Sequence, residues 1–215
     1  MNAAVYFVAE WIVWHKPFPV DWYFALHKEG LQHGYWWQLI SFQFLHAHLS
    51  QPLSWATLTH FDLPWHLLLN CWGIFVFGPP LEQALGKWRF VALYLLSGIA
   101  GGALQILASV LPHIFAHNRF GGPVVGASAG VFGLIAAFTQ LFPDARMTVL
   151  LFFVIPLRMT ANRMLTLAAA ITVLGIIFPT WILGAHVAHA AHLGGLISGL
   201  IFVRLFTRHF RRANY

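Results

Sequence analysis

The chain has 215 residues, of which 59% are hydrophobic and only 8% charged, with a mean hydropathy of +0.70 and a formal charge of +6. Soluble domains carry about 25% charged residues, so this composition excludes an ordinary water-soluble globule and points to a polytopic membrane protein. The apolar runs are continuous rather than alternating, which excludes a β-barrel and leaves an all-α bundle, since backbone polar groups in hydrocarbon must be bonded internally.

Six apolar segments are predicted. The first, Ala3 to Trp14, is shorter than the roughly 20 residues a span needs, so it leans on neighbours or continues from an upstream start. It has no basic region before it and no clear cleavage site, so no signal peptide is assigned. Residues 15–64 mix Trp, Phe and His with Pro, Gly and charges, as an amphipathic outer-side loop would. The second span, Pro64 to Gly86, contains Pro79-Pro80, expected to kink it or loosen its last turns. The third is Phe90 to Leu111, followed by a polar loop with His113, Asn118 and Arg119. The fourth runs from near Gly126 to Phe142. Met147 to Pro156 is apolar but too short to span, and is expected at the interface. The fifth covers Met164 to Phe178, and the sixth Ala185 to Phe206, before a basic tail over 207–215. No soluble domain or repeat is evident, so 1–215 reads as a single membrane domain.

The net positive charge reads as topology rather than as a nucleic-acid footprint. With both termini in the cytoplasm, Lys87, Arg89, Arg146, Arg158, Arg163, Arg204, Arg208, Arg211 and Arg212 fall inside, and Lys16, Lys28 and Arg119 outside, which accounts for all 12 basic residues. This fits the positive-inside rule with an even number of spans. The one cysteine, Cys71, rules out an intrachain disulfide.

Polar side chains at membrane depth are costly and mark candidate functional sites. His66, Asn70 and Glu82 lie in the second span, Ser128 in the fourth, and His186, His189, His192 and Ser198 in the sixth. Given the orientation above, His66, Asn70, Ser128 and His192 share one depth near the outer face, with His192 about two turns into its span. Ser128 sits in Gly126-Ala127-Ser128-Ala129-Gly130. Alone, such small residues form a packing seam. Gly195 and Gly199, again four apart, give the sixth span a matching face, and the seam would then let Ser128 reach His192. His66 and Asn70 are at i and i+4 and could donate together to an oxyanion, or only bond between helices. His186, His189 and His192 line one helix side, but HExxH is absent and no Asp or Glu lies in the last three spans, so no metal is expected. His186 and His189 are expected to cap or solvate the outer boundary.

Together GASAG, the final-span AHLGGLISGL and the second-span HLLLNCWGIFVFGPPLEQALGKWRF resemble the rhomboid intramembrane serine proteases, over about Trp36 to Phe206. The resemblance implies a six-transmembrane-helix bundle with a Ser–His dyad and no acid partner, in a water-filled cavity below the outer membrane surface. It implies Ser128 as nucleophile and His192 as general base. His66, Asn70 and the Ser128 amide match the oxyanion site, Phe132 an aromatic position packing on the histidine, and Glu82 a structural acid. Ala129 stands where many members have Gly, and Gln38 where the family often has Arg, which weakens the expected anchoring of the first loop. Its segment between His46 and His66 is about fourteen residues longer than a compact loop.

The implied function is peptide-bond hydrolysis in or near transmembrane segments of protein substrates, without cofactor, metal or nucleic acid, in a bacterial inner membrane. Two alternatives are a non-catalytic rhomboid-like binder of transmembrane clients and a small transporter. The intact polar quartet speaks against the first. The apolar cytoplasmic halves of the spans speak against the second.

Overall fold

The structure, a computed structural model, describes residues 1–15, 18–46, 65–111, 122–151, 155–178 and 187–213. Among these residues, nine α-helices and a two-stranded hairpin follow in chain order: α1 (Asn2–His15), α2 (Val20–Phe24), α3 (Lys28–Gln32), α4 (Gln38–Ser41), α5 (Trp65–Leu85), α6 (Lys87–Val110), α7 (Ser128–Leu141), β1 (Arg146–Leu151), β2 (Ile155–Thr160), α8 (Ala161–Ile177) and α9 (His189–Ala213). Among the described residues, α6 and the 189–206 part of α9 are long and apolar enough to cross a membrane, while α7 and α8 are shorter apolar helices.

Helix α7 is central. It buries Ala129, Gly130, Val131, Gly133 and Leu134 in its first half and Ala136 to Thr139 in its second. A helix hydrophobic all round belongs in an interior. Helices α5, α6, α8 and α9 surround it, and Leu81, Leu93, Leu134, Phe138 and Val203 meet in the main core. Phe75, Trp88, Leu96, Ile201 and Leu205 point outward and are exposed. An apolar exterior of this kind suits lipid rather than water. Between α5 and α6 the chain turns at Gly86, whose φ of +81° favours glycine.

Two segments take a more definite form and two expectations are revised. Pro79 and Pro80 lie inside α5, which stays helical to Leu85. The segment expected at the interface, Met147 to Pro156, lies within an antiparallel hairpin with Arg146 opposite Thr160 and Leu151 opposite Ile155. Its alternation explains why: Met147, Val149 and Met159 pack on the core, while Arg146, Thr148 and Arg158 are exposed. The last helix starts at His189, not Ala185, so His192 sits in its first turn rather than two turns deep. Finally, Gln38 anchors the first loop firmly. It is fully buried, its amide donates to the Trp22 carbonyl at 2.9 Å, and Gly30, lacking a Cβ, makes room for it.

Candidate active site

Ser128 is the first residue of α7, and the approach to it is shaped by backbone pairing. Leu26 and Val124 exchange hydrogen bonds of 3.0 and 2.9 Å, and the Gly126 amide donates to the Phe42 carbonyl at 2.9 Å. Gly126 then turns the chain with φ +125°. Only glycine suits it, for a Cβ there would stand 2.5 Å from the His66 ring. The next residues enter the helix, so Ser128 projects from a helix N-terminus, where unpaired N–H groups favour negative charge.

His192 comes from α9. The amide before it, Ala191 N–H, donates to Gln105 Oε1 of α6 at 3.2 Å, which satisfies one of the orphan donors at that helix start. Ser128 Oγ and His192 Nε2 lie 2.8 Å apart, within hydrogen-bond reach of hydroxyl and neutral imidazole. Phe132, one turn after the serine, stacks on the imidazole with ring centroids 4.1 Å apart and planes within 7°. His189 meets His192 edge to face at 6.2 Å. It is 2% exposed, in space that Gly175 of α8 leaves by having no Cβ. His189 is therefore a packed interior residue, not the boundary residue expected, because α9 begins there against α8. His186 lies outside the described residues.

The close approach of α7 and α9 makes the pairing possible. A Cβ on Gly195 would collide with the Ala129 carbonyl, and one on Gly199 with the Gly133 carbonyl. The seam on α7 is thus Ala129 and Gly133, not the expected Gly126 and Gly130. Gly126 precedes the helix and serves His66, and Gly130 faces Tyr94 of α6.

One of the two Asn70 side-chain N–H groups is already engaged within α5. The Asn70 amide donates to the His66 backbone carbonyl at 2.7 Å, and the residue is 4% exposed. An Asn amide has two N–H groups, so a second donor remains. The His66 ring lies against Gly126 and 5.2 Å from the His46 ring. Burial, and then the neighbouring His66, push the His46 imidazole down to about 4, so it is neutral at neutral pH. Glu82 is exposed near the end of α5. Helices α7, α8 and α9 contain no Asp or Glu, so within them the imidazole is held by rings and packing rather than by a carboxylate.

Sequence reasoning missed Gln105 and Gly101. The first is the one amide side chain in a mostly apolar span, which was its signal. The second would clash with the Ala191 carbonyl if it bore a Cβ, and brings α6 under the start of α9.

The family model described as the rhomboid domain matches residues 33–209. Rhomboid protein 1, mitochondrial, of Saccharomyces cerevisiae is 27% identical over 221 residues, covering 94% of this chain and 60% of that protein. Presenilin-associated rhomboid-like protein, mitochondrial, of Rattus norvegicus is 29% identical over 155 residues, 72% of this chain and 38% of the relative. A rhomboid relative from Bacillus subtilis is 34% identical over 109 residues, 51% of this chain and 43% of its own. The chain thus spans less than two thirds of the length of these relatives.

Proposed function

The chain belongs to the rhomboid family of membrane-embedded proteins, and from that premise we propose that it is an intramembrane serine endopeptidase cleaving transmembrane protein substrates. The observation that carries the reading is the 2.8 Å contact between Ser128 Oγ and His192 Nε2. His192 takes the hydroxyl proton as Ser128 attacks the scissile carbonyl, then protonates the leaving amine, and water releases the acyl group. The oxyanion forms at the start of α7, where the Ser128 amide, the His66 ring and the second Asn70 N–H are its donors. Removing one such donor costs about 2.7–4 kcal/mol in serine proteases. Phe132 holds the imidazole plane in place of a carboxylate.

The proposed arrangement in the bilayer has six spans, α1, α5, α6, α7, α8 and α9, with both termini cytoplasmic. Helix α7, at 14 residues, is about 21 Å long against a hydrocarbon core of about 30 Å. Its first residue therefore sits below the outer surface if its last is near the inner one, and Pro123 to Ala127 lead down to it. Water admitted along that path supplies the deacylation step. The proposed location is a bacterial inner membrane. The Bacillus relative supports this, and the mitochondrial relatives name the other candidate membrane.

Purified protein in detergent is expected to cleave a model transmembrane segment, and Ser128→Ala and His192→Ala are each expected to abolish cleavage while keeping the wild-type melting temperature. A fluorophosphonate probe should label wild type at Ser128 and leave Ser128→Ala unlabelled. Full activity in either variant would remove the dyad. A wild type neither cleaving nor labelled would favour a client-binding role.

A further inference from the structure

At the end of α7 opposite Ser128, the β1–β2 hairpin presents a basic face. Arg146 pairs across the ladder with Thr160, and Thr148 with Arg158. Because side chains alternate and Met147, Val149 and Met159 face the core, both arginines point outward. Arg163, in the first turn of α8, joins them, and the three guanidinium side chains line one open cavity of about 620 Å³ with Thr148 and Thr160. None of the three makes an ion pair with a carboxylate among the described residues. The first turn of α8 also has no acidic residue, so the positive end of its dipole adds to theirs. Three like charges around one cavity repel one another, and an anion among them reverses that cost.

We propose that this cavity binds the phosphate of an anionic phospholipid headgroup. Position selects the occupant. The hairpin joins two consecutive helices of a membrane-embedded bundle, so it lies at an end of that bundle, where headgroups lie. Chemistry selects it too. Planar guanidinium forks match phosphate oxygens two at a time, and threonine hydroxyls donate to the oxygens left over. A zwitterionic headgroup brings its own cation into the same cavity and gains less. The site rests on membrane embedding alone, at the opposite end of α7 from the proposed dyad.

Native mass spectrometry of the full chain, released from detergent with phosphatidylglycerol or phosphatidylcholine of identical acyl chains, reads the preference. Each arginine near anionic headgroups is worth about fivefold in affinity. Wild type is expected to retain one phosphatidylglycerol more than about tenfold more tightly than phosphatidylcholine. In Arg146→Gln/Arg158→Gln that preference should fall below about twofold. Arg158→Gln alone, one exposed side chain, should lose about fivefold, and decides the matter if the double variant does not fold. Equal retention of the two lipids by wild type, or an unchanged preference in folded variants, overturns the proposal. Displacement of the lipid by an equal concentration of inorganic phosphate or of an acidic phosphopeptide also overturns it, assigning the cavity to a soluble anion. Cleavage is not read, so the result stands whatever becomes of the peptidase reading.

Discussion

At Phe132 the sequence spacing and the geometry meet. One helical turn separates it from Ser128, so its ring rises beside the hydroxyl and lies flat on the imidazole of His192, 4.1 Å away. Stacking fixes the plane of the proposed general base. In Phe132→Leu the imidazole loses that flat support. Small misplacements of reacting groups cost about a hundredfold, so kcat is expected to fall tenfold to a hundredfold, with KM nearly unchanged and most activity kept in Phe132→Tyr. Steady-state cleavage of a fluorogenic transmembrane segment measures both constants, and a rise in KM alone would assign Phe132 to substrate binding instead. At this scale Ser128 and His192 were legible because each lies beside small residues four apart, whereas Phe132 was legible only through the resemblance to the rhomboid proteases. His189 was not, since burial of a histidine next to a span's start depends on Gly175, fourteen residues earlier in another helix. Gln38 was misjudged for the same reason. Its partners, Trp22 and Gly30, come from the short helices α2 and α3, which no periodicity announces.

Between elements, the deciding contact is backbone to backbone. Gly195 and Gly199 of α9 press on the carbonyls of Ala129 and Gly133 of α7, so any side chain there forces the helices apart. Overpacking of this kind costs about 1–3 kcal/mol. Gly195→Ala is expected to lower the melting temperature and to remove most cleavage activity by widening the Ser128–His192 gap. Gly122→Ala, with nothing within 4 Å of the added Cβ, should change neither. A thermal-shift assay beside a cleavage assay reads the pair, and a fully active Gly195→Ala would show that the seam can relax without moving the dyad. The sequence announced that small residues would meet, but not which ones. Residues 126–130 are all small or short, and which of them face α9 depends on the helix phase, fixed only by where α7 begins. The hairpin shows the opposite case. Its alternation of arginine, methionine, threonine and valine was present to be read, and was hidden by the greasy residues that follow.

For the whole molecule, composition alone separated lipid from water, and the large exposed apolar side chains agree with it. Length speaks less clearly about the number of spans: among the described residues only α6 and the 189–206 part of α9 are long and apolar enough to cross, while α7 and α8 are shorter apolar helices. Orientation rests on the distribution of basic residues. It predicts that, in a Cys71→Ala background, Glu29→Cys in α3 reacts with a membrane-impermeant maleimide added outside intact cells. Arg158→Cys in β2 should react only after permeabilisation. Both positions are exposed, so the reverse pattern would invert the topology rather than report burial. The brevity of the outer helices carries a further consequence. Helices α1 and α8, of 14 and 17 residues, extend about 21 and 26 Å while turning Phe7, Trp11, Val173 and Ile177 outward. In the proposed six-span arrangement, acyl chains beside α8 shorten to match it, and sterol-thickened or long-chain bilayers would squeeze the protein toward thinner patches.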